Sequence, residues 1–294
     1  MKEQKIKLSN SIELNVIYQI EHKPTVLFLH FSGGTSKMWN GVLPLFKKDF
    51  SIIAPDFRGH GKSERPLTGY HIDDMANDLY LLLKELNIEK CHVVGSSLGA
   101  EVGLSLARAH PRMVLSLVCE GALANEFGEF GIFNGTEEEI DAEKDKINQI
   151  LMERKLPNHQ TKIEAYGEMK ESFQQQGFWN EYFSSFIESC IEETEEGTFT
   201  SHYKNHVRIE YIQKYWELKF EEYYKNIACP ILFLPSTEEW DNEKVRKSLE
   251  SFISYLQDSY EIKHLKDSAH AYVWMQQPRE ASEVVKEFIS KYQR

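Results

Sequence analysis

A serine set between glycines is the most visible chemistry in this chain. Gly95-Ser96-Ser97-Leu98-Gly99 follows the β-branched run Cys91–Val94 and opens the stretch Leu98–Ala109, whose apolar residues recur at helical spacing. A nucleophile held at a sharp strand-to-helix turn needs small residues two positions to either side, because strand and helix approach closely there. The helix N-terminus under the hydroxyl then favours developing negative charge. The pentapeptide alone also describes an ordinary glycine-rich turn, so its place between strand and helix is what gives it weight. A serine of this kind is inert at neutral pH without a general base, and the chain offers eleven histidines. The four cysteines, Cys91, Cys119, Cys190 and Cys229, show neither Cys-x-x-Cys pairing nor metal-ligand spacing and read as reduced structural thiols.

The elements that must position Ser97 alternate along the chain. Thr25–Leu29, Ser51–Ala54, Cys91–Val94 and Val114–Cys119 read as buried strands, with helices over about 38–47, 72–86 and 98–109 between them. This α/β alternation implies a mostly parallel sheet with helices on both faces. It stops after Ala122, where a helical, polar and acidic stretch without a convincing buried strand runs to about Asn226. It resumes with the strand Pro230–Leu234, a helix over 243–256, a last strand Tyr260–His264 and a closing helix over 278–292 with proline near its start. The chain therefore divides into a core, residues 1–122 and 229–294, and an inserted helical cap, residues 123–228.

With these elements the chain resembles the α/β-hydrolase family, and the resemblance runs the length of the core. His30-Phe31-Ser32-Gly33-Gly34 after the strand Thr25–Leu29 is similar to the family's His-Gly oxyanion loop, with Trp39 at the usual distance beyond. Asp56-Phe57-Arg58-Gly59-His60-Gly61-Lys62-Ser63 is close to its D-x-R-G-x-G-x-S loop. The resemblance implies an α/β-hydrolase fold with an inserted α-helical cap and a Ser-acid-His triad in that chain order. It makes Ser97 the nucleophile and His270, in Asp267-Ser268-Ala269-His270 after the last strand, the base. It also places oxyanion donors on the backbone N–H groups of Ser32 and Leu98. Phe31 departs from the family's usual glycine in that loop. His264 falls inside the last strand as a structural residue, and His30, His60 and His110 sit in turns where a ring usually bonds to backbone. The acid stays open. The usual position falls on Glu239, with Glu238 and Asp241 beside it, and a minority of the family takes the acid from the end of the preceding strand, here Glu120. Glu101, about one turn past Ser97, is solvated, paired or part of the site.

Composition bounds the partners. A net charge of −12 argues against nucleic acid and anionic membrane, which need a basic face. Between Ala124 and Ala228 there are 22 acidic and 11 basic residues, so nearly all the excess sits in the insertion. The same stretch holds 18 of the 36 aromatic residues, enough to pack the cap and to roof a cleft over Ser97. An aromatic-lined pocket favours a small, largely apolar, acyl-bearing substrate. No segment has the ~20 apolar residues of a membrane span, and the N-terminus lacks the apolar run of a signal peptide, so the expected location is the cytoplasm. No metal, nucleotide or flavin signature is present, so no cofactor is expected; the partner is a small-molecule substrate, and the oligomeric state is not set by the sequence. The expected activity is hydrolysis of a carboxylic ester or related acyl bond through an acyl-enzyme. The same triad also serves C–C bond hydrolases and lyases, and the competing class is a ligand sensor without turnover. Dehalogenase and epoxide hydrolase chemistry is disfavoured, since relatives of those kinds use aspartate at the elbow.

Overall fold

The apolar runs become the interior of an eight-stranded sheet in the computed structural model, which describes residues 1–292. Its strands are β1 (Lys2–Lys7), β2 (Glu13–Gln19), β3 (Thr25–Leu29), β4 (Ser51–Pro55), β5 (Cys91–Ser96) and β6 (Val114–Glu120), then β11 (Ile231–Phe233) and β12 (Tyr260–Ile262). The spatial order is β1-β2-β4-β3-β5-β6-β11-β12. From β4 to β12 every neighbouring pair is parallel, while β1 and β2 add an antiparallel edge. β3 and β4 are buried at every residue, as strands covered by helices on both faces must be.

Helices α1 (Leu43–Phe46), α2 (Ile72–Glu85) and α3 (Leu98–Ala109) come from the first part of the core, and α10 (Glu243–Ile253), α11 (Val273–Gln276) and α12 (Pro278–Ser290) from the last. The single helix expected over 38–47 is two pieces, a 3₁₀ turn at Ser36–Gly41 and then α1, which begins with proline in its first turn. β12 ends at Ile262, so His264 lies beyond the strand; its ring stacks on Trp240, and its Nε2 is 3.3 Å from Thr237 Oγ1.

The insertion carries α4 (Glu137–Glu153), α5 (Lys162–Gln175), α6 (Tyr182–Cys190), α7 (Asn205–Tyr215) and α8 (Phe220–Tyr224). It also holds four three-residue strands, β7 (Asn125–Phe127), β8 (Gly131–Phe133), β9 (Ile191–Glu193) and β10 (Phe199–Ser201), in two small ladders, where only helices were expected. Its apolar residues join the clusters on the two faces of the sheet. Phe183 and Ile187 pack with Trp39, Trp274 and Phe288 on one face, and Tyr211, Phe220 and Tyr224 with Leu98, Phe233 and Phe252 on the other. The four cysteines are free and buried. No helix among the described residues is long and apolar enough to cross a membrane.

Candidate active site

The carboxyl ends of β5, β6 and β11 come level where the sheet meets the insertion. Ser96 pairs with Glu120, and Cys119 with Phe233, so the loops leaving these strands converge. Ser97 stands at the tip of the first, with φ 50° and ψ −116°, a conformation that costs a non-glycine residue of order 1–3 kcal/mol and persists only where surroundings hold it. Its N–H donates to the Glu120 carbonyl. The turn also needs its glycine at 99, since a Cβ there would sit 2.1 Å from the Leu29 carbonyl oxygen.

Ser97 Oγ lies 3.0 Å from His270 Nε2, within the reach a general base requires. His270 comes from the loop between β12 and α11, and its ring is held over the cleft with 38% of the side chain exposed. Behind it, Nδ1 faces two carboxylates, Glu239 Oε1 at 3.1 Å and Glu120 Oε1 at 3.3 Å. Neither contact meets the geometry of a full hydrogen bond. Glu238 and Asp241 do not come within 4 Å of the ring, so two of the four candidate acids converge and two do not.

The two carboxylates are anchored differently. Glu120 is fully buried at the end of β6; Oε2 accepts from Ser96 Oγ at 2.6 Å, and Oε1 from the Ala271 N–H at 2.7 Å. Glu239 lies in α9 (Thr237–Asp241), where it closes a capping box with Ser236: Glu239 Oε2 accepts from the Ser236 N–H at 2.9 Å, and the Glu239 N–H donates to Ser236 Oγ. Burial opposes a charged imidazole at His270, but the adjacent Glu120 and then Glu239 carboxylates outweigh it and raise the His270 pKa well above its usual value. Burial likewise raises Glu239, yet His270 and the Ser236 donors bring it below the ordinary carboxylate value. Glu120, Glu239 and His270 each present a ligand-type atom within 4.8 Å of the others, a set able to hold a divalent cation. The orientation of His270 toward Ser97 accounts for the same cluster without one.

Glu101, one turn into α3, is buried. Both its oxygens lie 3.0–3.1 Å from the Tyr211 hydroxyl, which donates to them, and burial pushes its pKa up to about 7. It lines two lobes that meet at Ser97. One, about 330 Å³, runs past His270, Glu239, Leu123 and Val245. The other, about 550 Å³, runs past Ser32, Tyr203, Arg208, Tyr211 and Trp216. The expected aromatic lining is therefore half right. Tyr203, Tyr211, Tyr215 and Trp216 face the cavity, but Glu101, Glu126 and Arg208 share it. Phe178 and Phe183 pack on Tyr272 instead.

The two sequence loops beside the site lock each other and the insertion. His30 Nδ1 donates to the Phe31 carbonyl while its Nε2 accepts from the Phe57 N–H. Burial holds its pKa down to about 3, so the ring is neutral. Asp56 accepts from the Ser36 and Lys62 N–H groups and from Asn15, and Arg58 forks onto Asp78 with two 2.6 Å bonds. Two residues with no signal in the sequence complete the frame. His202 is buried between the loops, accepting from the Gly61 N–H and donating to the Gly33 carbonyl. Tyr203 stacks on His60 and meets Ser32 Oγ at 2.7 Å. Phe31 turns away from the cavity and packs on Phe186 and Tyr272, leaving Ser32 on the cavity wall with Ser97.

The chain is similar to an uncharacterised protein of Mycobacterium tuberculosis, 38% identical over 105 residues, covering 35% of this chain and 31% of that one. It is also similar to a Pantoea ananatis protein that carries the name carbamate hydrolase RutD, 38% identical over 95 residues, 32% of this chain and 34% of that one. A fluoroacetate dehalogenase of Burkholderia is 34% identical over 99 residues, 32% of this chain and 33% of that one. The chain thus spans about a third of the length of the curated relatives it matches. In structure it is similar to E-2-(acetamidomethylene)succinate hydrolase, with a TM-score of 0.77 at 20% identity over 98% of this chain and 99% of that one. It is also similar to a thermophilic esterase from Thermogutta terrifontis, with a TM-score of 0.70 at 19% identity over the whole of both chains. At these identities the structures establish the shared fold. The model of the alpha/beta hydrolase fold family matches residues 24–240, and the chain belongs to that family.

Proposed function

We propose that this chain is a serine hydrolase that cleaves a carboxylic ester or related acyl bond through an acyl-enzyme. The observation that carries the reading is the 3.0 Å approach of Ser97 Oγ to His270 Nε2 at a strained strand-to-helix turn. Ser97 attacks the acyl carbon as His270 takes its proton, and the carbonyl oxygen gains negative charge in the tetrahedral intermediate. The Leu98 N–H at the start of α3 and the Ser32 N–H stabilise that oxyanion; one such donor is typically worth about 2.7–4 kcal/mol. His270 returns the proton to the leaving group, and water releases the acid by the same steps in reverse order. Glu239, the nearer carboxylate, orients the imidazole and stabilises the imidazolium, and Glu120 shares that task from the opposite side. The insertion over residues 123–228 acts as a cap that closes the cavity.

Serine at the elbow separates this chemistry from that of the dehalogenase relative, because dehalogenases of this family displace halide with an aspartate. A carbamate, the bond in the name of another relative, is an acyl bond open to the same attack. Fluorophosphonate labelling and turnover of short 4-nitrophenyl esters test the reading. Both are expected in the native chain and neither in Ser97→Ala; labelling of the cleft in Ser97→Ala would refute the nucleophile.

A further inference from the structure

The larger lobe beside Ser97 holds a cation that the triad does not use. Arg208, on α7, lines it together with Ser32, Ser97 and Tyr203. Among the described residues no carboxylate comes within 4 Å of Arg208, nor of Arg154, whose nearness weakens its own hold on its proton through repulsion from Arg208 once burial has been counted. Arg154 is tied instead to neutral groups, the Tyr203 carbonyl at 3.2 Å and Asn205 Oδ1 at 3.0 Å. Tyr203 links Arg154 to Ser32: the Arg154 guanidinium is 5.9 Å from its ring centre, and its hydroxyl meets Ser32 Oγ.

This arrangement is unusual for the segment that contains it. The insertion holds twice as many acidic as basic residues, and two arginines beside the same loops are neutralised: Arg58 by Asp78, and Arg65 by Glu192 at 2.5 Å. Two adjacent guanidinium groups without an acid repel each other, and an anion between them and the cavity removes that cost. The carboxyls that share the lobe do not supply it. Glu101 is engaged by Tyr211, and neither Glu101 nor Glu126 reaches either guanidinium within 4 Å.

We infer that Arg208, backed by Arg154 and with the Tyr203 and Ser32 hydroxyls beside it, binds a carboxylate carried by the substrate, so that the bond cleaved at Ser97 belongs to an acidic ester or amide. The inference rests on the hydrolase reading for the site of cleavage, but the anion site itself does not depend on turnover. It also narrows the expectation of a largely apolar substrate to one with an apolar body and an anionic end.

The test compares matched substrates that differ only in charge. On the acyl side the pair is mono(4-nitrophenyl) glutarate and 4-nitrophenyl valerate; on the leaving-group side it is 4-acetoxybenzoate and phenyl acetate. In the native protein one pair is expected to favour its carboxylate member in kcat/KM by about 10- to 100-fold, the worth of one hydrogen bond to a charged group. In Arg208→Gln that ratio should fall to near one, and in Arg154→Gln part of the way. Glutamine keeps α7 helical, and circular dichroism checks the fold. A second arm needs no catalysis: calorimetric titration of Ser97→Ala with glutarate and with dimethyl glutarate. Binding of the diacid alone, lost with Arg208→Gln, supports the site. Equal ratios in both pairs, a preference that survives Arg208→Gln, or no difference between diacid and diester in the titration would each overturn it. Failure of all four esters with intact diacid binding would instead count against the hydrolase reading and leave the anion site standing.

Discussion

Two carboxylates behind one histidine give the pH–rate profile an unusual dependence on each. With Nδ1 of His270 3.1 Å from Glu239 and 3.3 Å from Glu120, each negative charge favours the imidazolium and so delays the appearance of the neutral base. Unit charges 3.1 Å apart attract by about 1.3 kcal/mol in bulk water and by about 5 kcal/mol at an effective dielectric of 20. At about 1.4 kcal/mol per pKa unit, this brackets the effect of one carboxylate at roughly one to four units. The ring is more than a third exposed, so screening selects the lower part of that range, about one to two units.

The His270 pKa is raised in the folded protein, so the proton stays on the base below that pKa, and kcat/KM climbs as pH rises through it, above the ordinary histidine value. Glu239→Gln removes one charge and should move the rising limb of kcat/KM about one to two units toward acid, measured with a 4-nitrophenyl ester between pH 5 and 10. On the plateau, Glu120 still faces Nδ1, so the loss should be only about 10- to 100-fold. Glu120→Gln should shift the limb in the same direction, with a larger stability loss, because Glu120 accepts from both Ser96 and Ala271 without solvent to replace them. In the double variant nothing stabilises the imidazolium, and the rate should drop by far more than the product of the single effects. If Glu239→Gln alone costs 10⁴-fold and Glu120→Gln adds nothing, the shared-acid argument is wrong and Glu239 acts by itself. An unmoved limb in both variants would remove the electrostatic account altogether.

Other consequences can be measured with the same protein. His270→Ala should lower kcat roughly 10⁴-fold or more, since members of such a triad act as a unit; a small loss would point to another base. Gly99→Ala forces a Cβ to within 2.1 Å of the Leu29 carbonyl, so urea unfolding should show at least about 1–3 kcal/mol of destabilisation, and unchanged stability would mean the turn is looser than described. His202→Ala leaves the Gly61 N–H and Gly33 carbonyl without partners, which should cost roughly 1–3 kcal/mol. His202→Asn, able to keep one of the two bonds, should cost less; equal losses would deny the bridge. Excising residues 123–228 should yield an insoluble core, since it strips Tyr224 and Phe220 from the sheet; a soluble core with intact ester preference would show that the insertion does not shape the cavity.

The parts of the fold legible in sequence were those with strong local patterns. The runs that became β3 to β6 are short, apolar and β-branched, and they lie where the sheet is covered on both faces. The edge strand β1 escaped because it lacks that pattern: Lys2–Lys7 is exposed almost throughout, and an edge strand needs only one partner and no buried face. The β7 to β10 strands are three residues each, below the length at which a period of two can be distinguished. Helix α9 is five residues long and has no buried face, so only its capping box marks it, in Ser236 and Glu239. Those same two residues anchor the Glu239 carboxylate, so the loop that holds it reads as unstructured in one dimension.

The acid itself shows where one-dimensional reasoning stops. Counting along the loop after β11 favours Glu239, and the apolar context of β6 favours Glu120, and both arguments use sound local facts. Neither could register that β5 and β6 pair Ser96 with Glu120 while α9 turns Glu239 toward the same nitrogen. Tyr203 and His202 were missed for the same reason. They act across more than 140 residues of chain on Gly61, Gly33 and Ser32, and no spacing rule reaches that far. The insertion is therefore joined to the loops after β3 and β4 by directed polar bonds as well as by shared apolar packing. Such bonds transmit position. A segment that merely covered the cleft could drift without consequence, whereas here a displacement of β10 and α7 would move the Gly33 carbonyl, the Ser32 hydroxyl and Arg208 together, and with them the proposed oxyanion loop and the proposed carboxylate site.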